Sequence, residues 1–384
     1  MRVSAEINLD AVCHNIKLVQ NKVGKTVKVL AVIKTNAYGH GAVQIAKALK
    51  EKNNIYAFAT ATVEEAVELR KNGIDNTILI LGYSFSECYE DIIDYDISQT
   101  VFDYESAKKL SEIAVKKDKT AKLHIKLDTG MGRIGFCPND VSINEIKKIS
   151  KLPNIVLEGI FTHFACADEA DKTSVKLQKD RYFDFVDKLE KEGIRPQIKH
   201  FCNSASIMEF DNKYLDMVRA GIITYGLYPS DEVDKSKMNL IPAMTLKSHI
   251  SYVKTVPKGE GISYGLTYVT PSEKIIATVP VGYGDGYPRQ LSNKGKVLVN
   301  GQFANIVGRV CMDQFMIDVT DIKDVQIGTE VVLVGVQNDK SISVEELANS
   351  VGSFNYEFVC NINRRVPRVF IQNGKIVQIV DYLE

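Results

Sequence analysis

Lys34 is the residue around which chemistry can be built. It ends an apolar run, residues 27–33, and is followed by Tyr38, Gly39, His40 and Gly41. A lysine at the carboxyl end of a strand in a parallel barrel points into the mouth where the active sites of that architecture lie. Burial there disfavours the ammonium and lowers the amine's pKa, the property a Schiff-base nucleophile needs. The plainer reading is a solvated lysine closing a strand. The neighbouring Tyr, His and two Gly weigh against it, because small residues let a backbone approach a ligand closely. Further residues of suitable type stand in comparable places: Arg133 beside two glycines, Asn203 and Ser204 behind an apolar run, Arg219, Gly221 and Ile222 within another, and Tyr264 in a Ser-Tyr-Gly turn. Taken singly, Asn, Ser and Gly after strands are ordinary turn formers. Arg219 alone reads as a barrel-rim ion pair and Tyr264 alone as an aromatic packed at a turn.

Positioning these side chains is the task of the first 230 residues, which alternate short apolar runs with charged amphipathic stretches. Such alternation predicts βα units. Strands are expected at 27–33, 56–60, 77–81, 97–101, 122–127, 155–161, 197–201 and 217–225, with helices such as 42–51, 63–71, 104–117 and 176–192 between them. Eight parallel strands predict an α/β fold of the closed (β/α)8 TIM type, with an open doubly wound sheet as the alternative. After Pro229 a polar stretch, 230–239, marks a linker. Beyond it strand follows strand, at 243–256, 274–280, 296–299, 305–310, 315–319, 330–336, 365–372 and 375–381. One helix interrupts them, with Ser343 as N-cap and Glu346 as its reciprocal partner. The expected domains are a barrel over 10–236 and a mainly β domain over 237–384, the strand at 3–9 being assignable to either by pattern.

Composition narrows the partners. The 384 residues carry 48 Lys+Arg against 48 Asp+Glu, so the chain lacks the electrostatic footprint of a nucleic-acid or anionic-membrane binder. Apolar content of 45% with 25% charged residues is that of a folded globular protein. The N-terminal MRVSAEINLD breaks any apolar run with charge, and no stretch approaches the roughly 20 apolar residues of a membrane span, so a soluble cytoplasmic protein is expected. Seven cysteines without a CxxC or a Cys/His cluster predict reduced core thiols and no metal.

Ten segments together resemble the bacterial alanine racemases, enzymes that use pyridoxal 5'-phosphate (PLP). They are AEINLDAV (5–12), AVIKTNAYGHG (31–41), KLDTGMGRIGF (126–136), FTHFACAD (161–168), HFCNSAS (200–206), VRAGIITYGLYP (218–229), ISYGLTY (262–268), VGYGDGYPR (281–289), GRVCMDQFMID (308–318) and RVPR (365–368). The resemblance implies a PLP-binding barrel followed by a β domain, working as a homodimer with shared active sites and interconverting L- and D-alanine for cell-wall peptidoglycan.

It also implies roles. Lys34 would hold PLP and act as the base on one face of the substrate Cα, with Tyr264 of the partner subunit on the other, since racemisation removes a proton from one face and returns one to the opposite face. A phenol with a pKa of roughly 10 needs a neighbouring cation or donor to favour its phenolate, and His163 matches that position. Arg219, supported by His200, would face the pyridine nitrogen; a guanidinium cannot accept a proton, so the ring would be a weaker electron sink. Tyr38, Asn203, Ser204, Gly221 and Ile222 would bind the phosphate, on the loops after strands seven and eight where barrels often place one. Arg133 would orient the substrate carboxylate, aided across the interface by Met312 and Asp313. Lys126 matches a lysine carbamylated in some members, and Asp168, Tyr283, Arg289 and Arg309 match the substrate entrance. One departure stands out: Arg364 occupies a place where the family commonly has a tyrosine. It implies either a cation on the phosphate or a pocket open to serine. The alternatives are therefore a serine-preferring or broad-specificity racemase and, in another class, a non-catalytic PLP-binding protein.

Overall fold

The computed structural model describes residues 1–53, 55–211 and 215–383. The chain divides into two units, one of Ala11–Ala37 with Ala42–Ile241, the other of Met1–Asp10, Tyr38–Gly41 and Pro242–Glu384.

In the first unit eight parallel strands run Lys28–Val32 (β2), Ala57–Thr60 (β3), Thr77–Ile80 (β4), Ser98–Val101 (β5), Ala121–Lys126 (β6), Ile155–Phe161 (β7), Ile198–His200 (β8) and Met217–Ala220 (β9); the first strand of the chain, Val3–Asn8 (β1), belongs to the other unit. Their order is β8-β7-β6-β5-β4-β3-β2-β9. Closure into a barrel comes from the β8–β9 seam, where Arg219 donates its N–H to the Cys202 carbonyl and Asp216 to that of Lys199. The closed barrel, not the open sheet, is therefore the architecture. Strands buried on both faces explain why the sequence shows continuous apolar runs without alternation. The helices cover the barrel with one face each: Tyr104–Lys116 buries Ala107, Leu110, Ser111 and Ala114, and Asp103 caps it by accepting the Ser106 N–H at 2.7 Å.

One expected strand is shorter than its apolar run. Residues 217–225 form β9 only to Ala220, after which Ile222–Tyr225 make a 3-10 turn ended by Gly226 in the left-handed region. Uninterrupted apolarity records burial, and a buried turn is as apolar as a buried strand.

The second unit contains Val3–Asn8 (β1), Met244–His249 (β10), Tyr252–Val256 (β11), Gly261–Ile262 (β12), Tyr268–Val269 (β13), Lys274–Val279 (β14), Lys296–Val299 (β15), Gln302–Val307 (β16), Phe315–Asp318 (β17), Glu330–Gln337 (β18), Lys340–Ile342 (β19), Arg368–Gln372 (β20) and Lys375–Val380 (β21). β1 lies between β10, antiparallel, and β20, parallel, which answers the question its pattern left open. The single strand expected at 243–256 is two, because the chain breaks at Ile250, whose N–H bonds to Thr329, and β11 turns to pair with β14. Two helices, not one, interrupt the strands. Asn355–Asn361 escaped detection because its buried Asn355, Phe358 and Val359 give only one turn of periodicity. Ser343 caps Val344–Ser350 by accepting the Glu346 N–H, yet the Glu346 carboxylate is ion-paired with Lys296 at 2.8 Å and not closing a capping box. Of the seven cysteines Cys13 and Cys202 are buried, whereas Cys360, in an apolar run, sits half-exposed on the short helix.

Candidate active site

β2 delivers Lys34 to the carboxyl end of the barrel, and the chain then makes an unusual turn. Thr35, Asn36, Ala37 and Tyr38 all have left-handed φ, between 50° and 54°. Each such non-glycine residue costs roughly 1–2 kcal/mol, so surrounding bonds must hold the segment. Glu65 does so with both oxygens, accepting the Thr35 N–H and, at 2.9 Å, that of Ala61, while Asn36 accepts the Ala42 N–H at 2.9 Å. Strain concentrated beside a half-buried amine is typical of functional sites. Within the β unit, the buried Arg368 guanidinium donates to the carbonyls of Gly39, Ile362, Asn363 and Val366 at 2.5–2.9 Å. A Cβ at Gly39 would lie 2.2 Å from the Val359 carbonyl oxygen, so only glycine fits there. Tyr38 is buried, which pushes its phenol pKa up.

Arg219 is the hub of the barrel interior. Its Nη1 meets His200 Nδ1 at 3.0 Å; its Nη2 meets His163 Nδ1 at 3.0 Å and donates to the Thr162 and Phe201 carbonyls at 2.9 and 3.1 Å. The guanidinium is 5.3 Å from the centroid of Phe161, which stacks on His200 at 4.7 Å. Burial lowers the Arg219 pKa to about 10, leaving it cationic at neutral pH. Burial and the Arg219 charge hold His163 and His200 well below the ordinary imidazole value. Because a guanidinium only donates, both imidazoles accept at Nδ1 and carry their proton on Nε2.

Asp128 builds the loop that carries the exposed Arg133. Its Oδ1 accepts from the N–H groups of Gly130, Met131 and Gly132, and its Oδ2 from Arg133. Burial pushes this carboxyl up, but those donors and Lys126 hold it below its ordinary value. Lys126, inside the barrel, donates to the Leu127 carbonyl at 2.6 Å. Burial and then the Arg219 charge lower its amine to about 7.

After β8, Asn203 caps the short helix Ser204–Glu209, its Oδ1 accepting from the Ser206 N–H and hydroxyl. Its side chain thus builds the helix start. Ser204 Oγ accepts the Gly221 N–H at 3.0 Å and so joins the ends of β8 and β9. Two helix starts, at Ser204 and Ile222, are brought together, each offering backbone N–H groups of the kind anions take.

In the β unit, Tyr264 is 71% exposed and Met312 53%. Positive φ at Ser263, Gly265 and Leu266 forms the Tyr264 turn, which Ser263 Oγ ties to the Arg309 carbonyl at 2.7 Å. The half-buried Arg309 guanidinium packs over Gly265. Tyr283 is exposed and its N–H bonds to Cys311, next to Met312, so the 282–284 and 311–313 segments lie together. The Asp313 carboxylate pairs with Arg365 at 2.8 Å. Arg289 is exposed in a 3-10 turn. Arg364, also exposed, lies over the Tyr382 ring at 5.5 Å, its charge directed at an aromatic of its own unit. Asp168, in the barrel unit, is half-buried and its carbonyl accepts the Ser230 hydroxyl at 2.8 Å.

The barrel's donor set suits PLP: an amine for its aldehyde, a donor-only guanidinium for a ring nitrogen, and paired helix starts for its phosphate. Among the described residues no group of three His, Cys, Asp or Glu is placed to hold a metal, and no helix is long and apolar enough to cross a membrane. Sequence reasoning missed Glu65, Asp128, His124 and Glu158. The available signal was His124 and Lys126 at alternate positions of one apolar strand, which puts both on the same face.

The chain matches the family description "Alanine racemase, N-terminal domain" over residues 7–229 and "Alanine racemase, C-terminal domain" over residues 243–370. It is 48% identical to alanine racemase 1 of Clostridium acetobutylicum over 381 residues and 50% identical to alanine racemase of Clostridium tetani over 382, in each case 99% of this chain and 98% of the relative. A solved structure of alanine racemase from Clostridium difficile 630 is similar with a TM-score of 0.97 at 46% identity, covering 100% of this chain and 99% of that one.

Proposed function

The chain belongs to the alanine racemase family and interconverts L- and D-alanine; we propose that it does so with PLP bound through Lys34, as a homodimer in which Tyr264 of the partner subunit completes each site. When bound, PLP supplies the electron sink that acidifies the alanine α-proton. Lys34 holds or returns that proton at one face of Cα, and Tyr264 of the partner subunit serves the other. His163, neutral and with Nδ1 committed to Arg219, has its Nε2–H left to donate to a phenolate. It therefore acts as a donor and not as a cation. Arg133 binds the substrate carboxylate, with Met312 and Asp313 as neighbours from the second copy, and Lys126 beside it is a candidate for carbamylation. Ser204, Gly221 and Ile222 border the phosphate site, where Gly221 donates its N–H to Ser204 Oγ, Tyr38 adds its hydroxyl, and Asn203 shapes the helix start. Asp168, Tyr283, Arg289 and Arg309 line the entrance.

The observation that carries this reading is the buried Arg219, held by two imidazoles and two carbonyls. A donor-only partner leaves a ring nitrogen unprotonated and weakens the sink, which favours simple proton return at Cα. The exposure of Tyr264 and Met312 on one copy supports a surface that a second copy covers. Arg364, placed over Tyr382, gives no support to a pocket widened for serine. The D-alanine formed would feed cell-wall peptide synthesis in the cytoplasm.

Chiral product analysis on the purified protein tests the proposal. Enantiomers have equal free energy, so either form of alanine should run to a racemic mixture, and removal of PLP should stop it. A preparation that racemises alanine equally well after complete removal of PLP would refute the cofactor assignment.

A further inference from the structure

A second polar chain leads away from Arg219. His200 Nε2 meets His124 Nδ1 at 3.0 Å, His124 Nε2 meets Glu158 Oε2 at 3.0 Å, and the same Glu158 oxygen accepts from Ser98 Oγ at 2.5 Å. His124, His200 and Ser98 are buried, and Glu158 nearly so. The backbone is shaped for this chain. Leu123 pairs with Leu157 but His124 pairs with Gly159, so Glu158 is an extra residue in β7. Such a bulge re-aims a side chain. A Cβ at Gly159 would lie 2.3 Å from His124 Nδ1, so glycine there leaves the space the imidazole occupies.

Donor and acceptor roles follow link by link. Arg219 can only donate, so His200 Nδ1 accepts and the neutral ring carries its proton on Nε2. That proton faces His124 Nδ1, which must accept, so His124 also carries its proton on Nε2 and donates it to Glu158. A carboxylate that only accepts closes the sequence at the far end. Reversing any link would set two donors or two acceptors against each other.

We propose that Glu158, through His124, fixes the tautomer of His200 and so holds the Arg219 guanidinium in the orientation its role toward the cofactor ring requires. Glu158 and His124 are positioning residues: neither touches substrate or cofactor. The inference rests on the PLP racemase reading for its purpose but not for its geometry.

The test uses the holoenzyme, full chain, with 15N-labelled histidine. The wild type should show Nδ1 unprotonated and Nε2 protonated at both His124 and His200. Glu158→Ala should mix the tautomers at both rings and lower kcat by roughly 10–100-fold, the usual range for such supporting partners, with a smaller change in KM. Glu158→Gln keeps an oxygen that can accept from Ser98 and His124, so it should retain the wild-type tautomers and recover activity to within a few-fold. Ser98→Ala is a milder probe, expected to mix the tautomers partially, should the Ala variant at 158 fail to fold. A wild type that racemises alanine while carrying Nδ1–H on either ring overturns the relay and leaves the racemase reading standing. Glu158→Gln as impaired as Glu158→Ala, or unmixed tautomers in the folded variants, would also overturn it.

Discussion

Replacing Arg368 by lysine is expected to destabilise the protein strongly although charge is conserved. The buried guanidinium satisfies four carbonyls at 2.5–2.9 Å, those of Gly39, Ile362, Asn363 and Val366. An ammonium has three donors at a single point, and the forked geometry that reaches carbonyls on different sides is lost. With one or two carbonyls unsatisfied, at about 1.5–3 kcal/mol for each bond to a charged group, the loss is roughly 1.5–6 kcal/mol. For a unit of this size that corresponds to a drop of roughly 3–24 °C in midpoint. The chain has no tryptophan, so the transition is followed by far-ultraviolet circular dichroism. Arg364→Lys is the control, since its exposed contact with Tyr382 is worth only about 0.5–1 kcal/mol. An Arg368→Lys protein melting within a degree of that control would refute the reasoning.

Lys34→Ala should abolish both racemisation and borohydride-trapped cofactor, whereas Tyr264→Phe should keep the cofactor and lose turnover by roughly 100-fold or more; mixing the two should restore activity through hybrid dimers, and no recovery despite measured subunit exchange would exclude shared sites. The lowered pKa of the fully buried His200 means that below about pH 6.5 the unfolded chain takes a proton the folded one refuses. Its stabilisation is complete above that pH and declines as pH falls toward the folded value; urea unfolding of the wild type against His200→Gln checks this, and equal pH dependence would contradict it. Lys126, at about 7 and near Arg219 and Arg133, offers a neutral amine whose carboxylated form two cations would favour. Carbamylation is therefore expected, visible as a new carbonyl resonance with 13C-bicarbonate and absent in Lys126→Arg.

Residue type and periodicity by themselves determined the strand that ends at Lys34, the succession of βα units, the mainly β character after Pro229 and the motif segments that point to the racemases. These are local properties: burial on two faces writes an apolar run, and a turn or base writes its own residue types within about ten positions. Tyr264 could be singled out for the same reason, standing in its own short segment. Tertiary structure alone decided that β1 pairs with β10 and β20, since either pairing satisfies the same alternating strand. It also decided that the apolar run after β9 bends at Gly221, and that the charge of Arg364 goes to Tyr382. The relay from Arg219 to Glu158 was least legible of all. With Ser98 included, its members come from five strands, Ser98 and Glu158 being sixty residues apart, and a glutamate on an apolar strand reads as solvent-facing until a bulge and a glycine bring it to an imidazole. A hydrogen-bond direction is set by the partner across space, and no spacing along the chain records it.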